Sequence, residues 1–174
     1  MTTTIDTIIC DLDGTLAIND RVVPELGRLR KFWPKEQKYC YNDSLNEVVA
    51  LIVRTFMDKG VEIIYLSGRD DTAYHATREF LNRYDLNHNK VYFEPDYGWH
   101  TYDGNNRDDY ICQLHMRKAG DNRSDDIIKW ELFKEHIEPY YNVLFVLDDR
   151  DQMVNLWRDK LGDNKCLAVR EGKF

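Results

Sequence analysis

Three short runs of apolar, largely β-branched residues punctuate this chain, and each ends abruptly in a polar cassette. Ile8-Ile9-Cys10 precedes Asp11-Leu12-Asp13-Gly14-Thr15, Val61 to Leu66 precedes Ser67-Gly68-Arg69, and Val143-Leu144-Phe145-Val146-Leu147 precedes Asp148-Asp149-Arg150. Runs of that length without polar alternation suit strands covered on both faces, as in a parallel sheet. Helical patterns separate them: Leu45 to Lys59 stopped by Gly60, Thr72 to Tyr84, Asp126 to Ile137 ended by Pro139, and Gln152 to Lys160 followed by Gly162. This alternation predicts an α/β fold, a Rossmann-like doubly wound parallel sheet. Further strands are expected at Lys90 to Phe93, Tyr110 to His115 and Cys166 to Val169.

Two stretches interrupt the alternation and read as small cap insertions, 17–43 and 94–109. The first sets Arg28, Arg30, Lys31, Lys35 and Lys38 around Phe32 and Trp33; the second is rich in Gly, Asn, Asp and aromatics. With 174 residues and no linker or internal repeat, the chain is expected to be one domain over 1–174. A formal charge of −7 argues against indiscriminate coating of nucleic acid. Cys10, Cys40, Cys112 and Cys166 are widely separated, without zinc spacing, and are expected as reduced thiols. The opening Met-Thr-Thr-Thr-Ile-Asp lacks a basic leader and no apolar run reaches membrane-spanning length, so a cytoplasmic protein is expected.

Open α/β sheets bind ligands beyond the carboxyl ends of their strands, which is where all three cassettes fall. Asp11 and Asp13 flank the point at which a strand opens into a loop at Gly14, so one carboxylate can attack phosphorus while the other serves the ester oxygen. Asp11 is then a nucleophile forming an aspartyl-phosphate, and Asp13 the general acid and base. Thr15 and the turn amides can hold non-bridging oxygens. Asp148 and Asp149 would bring further negative charge to Asp11, a conflict that a divalent cation resolves. Hard carboxylate oxygens suit Mg²⁺, with Asp11, Asp13, Asp148 and Asp149 as the carboxylates around it. Ser67 and Lys129 would neutralise the remaining phosphoryl oxygens. Each cassette alone has a plainer reading: an Asx turn or calcium loop, a strand-to-helix turn, a helix cap, a solvated lysine. Their joint occurrence in this order favours phosphoryl transfer.

In order and spacing these cassettes resemble the four motifs of the haloacid dehalogenase superfamily of phosphatases. The match is finer from Arg117-Lys118-Ala119-Gly120-Asp121-Asn122-Arg123-Ser124-Asp125-Asp126-Ile127-Ile128-Lys129 through Asp148-Asp149-Arg150 and Trp157-Arg158. There the chain resembles the 3′-phosphatase domains of polynucleotide kinase/phosphatases. The resemblance implies Asp11 as nucleophile, Asp13 as acid/base, Asp148 and Asp149 on the metal side, and Arg21, Ser67, Gly68, Arg69, Arg117, Asp125 and Lys129 completing the phosphate and substrate site. Arg28 and Arg30 are alternatives to Arg21. Arg69 and Arg117 would act as forks for phosphate oxygens, and Asp125 would orient Lys129 one helical turn on.

The sequence contains no Gly-x-x-x-x-Gly-Lys-Ser/Thr loop, so a kinase half is not expected in it. The implied substrate is a 3′-phosphorylated DNA or RNA end, with no membrane and no obligate protein partner evident. A phosphatase of free nucleotides is the first alternative. A non-catalytic module for phosphorylated ligands is the second, and intact Asp11 and Asp13 count against it. The basic, aromatic stretch from Arg28 to Lys38 suits either a bound strand or an amphipathic surface; Tyr97, Trp99, Tyr102 and Tyr110 suit either base stacking or packing. Asp11→Asn is expected to abolish phosphate release while leaving the far-UV circular dichroism unchanged; turnover by the variant would remove Asp11 as the nucleophile.

Overall fold

A computed structural model of the chain describes residues 4–18, 37–87, 92–94, 98–100 and 113–169. Five parallel strands form the central sheet: β1 (Ile5–Cys10), β4 (Glu62–Asp70), β7 (Gln113–Arg117), β8 (Tyr141–Asp148) and β9 (Cys166–Ala168). Their spatial order is β7-β4-β1-β8-β9, so the chain starts in the middle, winds to one edge, returns, and winds to the other. The direction of winding reverses between β1 and β8, the place where a doubly wound sheet opens a crevice.

Four helices cover the sheet among the described residues: α1 (Glu47–Asp58), α2 (Tyr74–Arg83), α3 (Asp125–His136) and α4 (Asp151–Leu161). Both sheet faces are buried, which explains the unbroken apolar runs. Ile8, Cys10, Ile63 and Tyr65 point into one core with Val49, Ala50 and Val53 of α1 and Phe80 and Leu81 of α2. Ile9, Ile64, Leu66 and Val146 point into the other with Phe133 of α3 and Met153, Val154 and Trp157 of α4. Neighbouring residues on each strand thus alternate between two cores.

The helices begin and end within two residues of the sequence reading. Asn46 caps α1 by accepting the Val49 N–H at 3.4 Å. Asp70 accepts the Thr72 N–H at 3.0 Å, but Asp71–Ala73 winds as a 3₁₀ turn, so α2 starts at Tyr74. No helix among the described residues is long and apolar enough to cross a membrane.

Strand bounds differ from expectation in several places: β1 starts three residues before Ile8, and β8 runs from Tyr141 through Asp148. β4 continues past Leu66 through Asp70 with an irregularity: Ser67 pairs with Met116 and Asp70 with Arg117, leaving Gly68 and Arg69 as extra residues in the ladder. Such a bulge re-aims side chains at a strand's end. β7 extends two residues beyond the expected His115 and so carries Arg117 at its end. The expected strand near Lys90 to Phe93 is β5 (Tyr92–Glu94), which pairs antiparallel with β6 (Gly98–His100) outside the central sheet.

In the first proposed insertion, β2 (Ala17–Ile18) pairs antiparallel with β3 (Ser44–Leu45), and Gln37–Asn42 is a 3₁₀ turn. Arg21, Arg28, Arg30, Lys31, Phe32, Trp33 and Lys35 lie outside the described residues, as do Tyr97, Tyr102, Tyr110 and Cys112.

His115 of β7 lies flat against His136 of α3, ring centroids 4.8 Å apart and planes 9° from parallel. Burial, and then the neighbouring His136, push His115 down from 6.5 to about 4. The unfolded chain therefore takes up this proton more readily. The resulting stability is complete above about pH 6.5 and is lost as pH falls towards about 4, because protonation favours unfolding in that window. The Tm of the wild type should accordingly drop more steeply between these pH values than that of His115→Gln, followed by differential scanning calorimetry. Parallel curves would show that His115 is not the responsible group.

Candidate active site

The register of the central strands assembles the site. Cys10 pairs with Leu147 on one side and Tyr65 on the other, so Asp11, Asp148 and Ser67 emerge at one end of the sheet. The Asp11 N–H donates to Leu147 O at 3.0 Å, holding the nucleophile candidate beside β8. Lys129, on α3 and only 2% exposed, bridges the two strands: its Nζ lies 2.6 Å from Asp11 Oδ1 and 3.0 Å from Asp148 Oδ2. Thr15 Oγ1 is buried 3.1 Å from Asp11 Oδ2 and 3.3 Å from Asp149 Oδ1, so one hydroxyl proton serves the two carboxylates in turn.

Electrostatics in this cluster are dominated by burial. Loss of solvent pushes the Asp11 carboxyl far above the usual carboxylate range, with Lys129 opposing and Asp148 reinforcing the shift. Burial also works against the Lys129 charge, but Asp11 and Asp148 outweigh it and hold the ammonium above its ordinary value. Asp149 is pushed up to about 6, by burial first and by Asp148 second. One lysine therefore leaves negative charge uncompensated.

Carboxylate oxygens of Asp11, Asp148 and Asp149 lie within 4.8 Å of one another. Hard oxygen donors at that spacing fit a divalent cation, which would offset the remaining charge. The loop beneath is shaped around Asp149. Gly14 adopts φ +87°, and a Cβ there would overlap the Asp149 carboxylate, so a side chain is excluded on two counts.

Asp13 stands apart from that cluster. Both of its oxygens accept from Arg69, at 2.7 Å from Nε and 2.8 Å from Nη2. Arg69 is fully buried, and its other contacts are Asp43 Oδ2 at 3.1 Å and Thr77 Oγ1 at 3.1 Å. Burial disfavours this guanidinium charge, and Asp13 more than restores it. The expected phosphate fork is thus engaged with protein groups throughout and holds Asp13 in place. The bulge in β4 turns Arg69 inward to reach it.

Ser67 is buried and accepts the Arg69 N–H on Oγ at 3.2 Å. A Cβ on Gly68 would come 2.9 Å from Asp125 Oδ2, so the bare backbone permits the close approach of α3. Asp125 pairs with Arg117 of β7 through one oxygen and with Arg150 through the other. Lys129 is instead held by Asp11 and Asp148, which replaces the expected Asp125–Lys129 relation. Arg117 also donates from Nη1 to the carbonyls of Asp121 (3.0 Å) and Arg123 (3.1 Å), while its buried Nε has no acceptor. Arg21 lies outside the described residues.

Sequence reasoning did not assign Asp43, Thr77, Arg150 or Trp157. Arg150 stands within the third cassette and could have been weighed. Asp43 and Thr77 carry no signal, because only the folded chain brings them to Arg69. A buried carboxylate, a shared lysine, a cation-sized acidic cluster and a separately held second carboxylate are the kinds of group that phosphoryl transfer uses.

Comparison with known proteins bears on the family and the fold. Residues 5–174 match the family described as the polynucleotide kinase PNKP phosphatase domain. A protein of Autographa californica nuclear polyhedrosis virus, described as a bifunctional polynucleotide kinase/RNA ligase, is 26% identical over 153 residues, 87% of this chain but 18% of its own length. A chain in the structure of the Pnkp1/Rnl/Hen1 RNA repair complex superposes with a TM-score of 0.71 and 32% identity, covering all of this chain and 45% of the other. The class C acid phosphatase of Bacillus anthracis shares the fold, with a TM-score of 0.57 and 15% identity over 99% of this chain and 69% of its own. The chain spans less than half the length of the first two relatives. It belongs to the PNKP phosphatase-domain family and is a phosphatase of the haloacid dehalogenase fold.

Proposed function

We propose that this phosphatase removes 3′-phosphate from nucleic-acid ends, with Asp11 as nucleophile and Mg²⁺ held by Asp11, Asp148 and Asp149. The observation that carries the reading is the single buried Lys129 shared between Asp11 and the metal-side carboxylate Asp148. That link keeps the attacking oxygen, a fixed positive charge and the acidic cluster in one place. Support for a nucleic-acid substrate comes from the family match and from relatives named for polynucleotide and RNA work.

In the first step, an Asp11 oxygen forms a bond to phosphorus as the bond from phosphorus to the sugar oxygen breaks. Asp13 would give a proton to the leaving alkoxide, which requires its carboxyl to take up a proton and release one of its two Arg69 contacts. In the second step, Asp13 takes a proton from water, the water oxygen attacks phosphorus, and Asp11 is released with inorganic phosphate. Lys129 and Ser67 stabilise negative charge on the phosphoryl oxygens. A bound divalent cation supplies further charge neutralisation at those oxygens.

The test is phosphate release, with Mg²⁺ and with EDTA, from matched 3′-phosphate and 5′-phosphate oligonucleotides of RNA and DNA and from 3′- and 5′-mononucleotides. Preference for the 3′-phosphate oligomers, lost in EDTA, is expected. Preference for a mononucleotide would make the protein a nucleotidase, and undiminished turnover in EDTA would remove the cation. Lys129→Ala should lower kcat on the preferred substrate by about 100-fold or more, the scale seen when a transition-state donor is removed. A variant within twofold of wild type would leave Lys129 a purely structural cation.

A further inference from the structure

Asp148 receives three hydrogen-bond donors, and they are not equivalent. Oδ2 accepts from Lys129 Nζ at 3.0 Å and from the indole Nε1–H of Trp157 at 3.4 Å; among the described residues Oδ1 accepts the Arg150 backbone N–H alone, at 3.3 Å. Trp157 lies on α4 and is fully buried. Its ring packs edge-on against Phe133 at 5.6 Å and is tilted against Trp130 at 6.4 Å. Any large apolar ring could fill that core, but only an indole carries an N–H. Because the ring is wedged, the N–H points at Asp148 without further ordering cost, and a buried indole donor needs an acceptor.

The geometry points to Trp157 as a positioning residue whose indole N–H fixes the Asp148 carboxylate and thereby sets the affinity of Asp11, Asp148 and Asp149 for a divalent cation. Lys129 cannot do this alone, because it divides its donors between Asp148 and Asp11 and, in the proposed reaction, the phosphoryl group. Trp157 has one donor, and among the described residues that donor is given to Asp148 Oδ2. Oδ1, with a single backbone donor, keeps lone-pair capacity for the cation. Outer partners of this kind commonly govern metal affinity. The inference rests on reading the acidic cluster as a cation site, and the experiment separates the two.

Binding of Mn²⁺ to the full chain would be measured by electron paramagnetic resonance of the free ion, for wild type, Trp157→Phe and Trp130→Phe. Phenylalanine keeps a ring in the core and removes the N–H; Trp130 is the neighbouring indole without the Asp148 bond. The expected result is about tenfold weaker binding in Trp157→Phe, within the range for an outer-shell partner, and wild-type affinity in Trp130→Phe. Equal affinity in wild type and Trp157→Phe would overturn the role of Trp157 and leave the cation site standing. Absence of binding to wild type would overturn the cation site itself. A second measurement needs no variant to fold: in the wild type, the Trp157 indole N–H resonance should shift on titration with Mg²⁺, and an unmoved resonance counts against the inference.

Discussion

A lysine buried between two aspartates holds this molecule's chemistry together. Burying three charges is costly, and attraction repays that cost only when geometry and additional hydrogen bonds are good. Here they are: Lys129 lies 2.6 and 3.0 Å from its two carboxylates, while Thr15 and Trp157 supply further donors. Removing one member of such a group typically costs roughly 3–5 kcal/mol, since the charge left behind has no water to turn to. Stability and reactivity are therefore drawn from the same contacts. The carboxylate that would attack phosphorus is also one that cannot be left unpaired.

The two acidic residues of the proposed reaction sit in different electrostatic worlds. Asp11 shares its lysine with Asp148 and lies near Asp149, so it is short of positive charge. Asp13 has a whole guanidinium on its two oxygens, and that guanidinium is itself tethered by Asp43 and Thr77. Two carboxylates that are neighbours but one in sequence are thus given separate counter-ions. A cation at the acidic cluster would complete the first arrangement without disturbing the second.

Much of this was legible in the sequence because it follows from periodicity. The unbroken apolar runs specified buried parallel strands, and the cassettes after them specified which side chains would meet at the strand ends. Lys129 was legible through its spacing from Asp125 and Arg117. The partners of Arg69 were not, because Asp43 and Thr77 lie 26 and 8 residues from it and belong to a turn and a helix with no pattern linking them to β4. The bulge at Gly68 and Arg69 was equally hidden, since a ladder irregularity depends on the partner strand. The same limit applies to Asp125: its place one turn before Lys129 suggested a pair, whereas the fold gives it Arg117 and Arg150. Sequence spacing reports who shares a helix face, not who arrives from another strand.

The order of the central strands also has a kinetic side. Asp11 directly follows the first strand and Lys129 is 118 residues away, so no early part of the chain contains both charges. β1 pairs with β4 and β8, and the latter pairing closes a loop spanning most of the chain. Contacts of such sequence separation form late and slowly. Without α3 and β8 in place, Asp11 lacks Lys129, Asp148 and Asp149 as neighbours. The acidic cluster and its lysine therefore exist only where distant parts of the chain, the end of β1, α3 and β8, have come together.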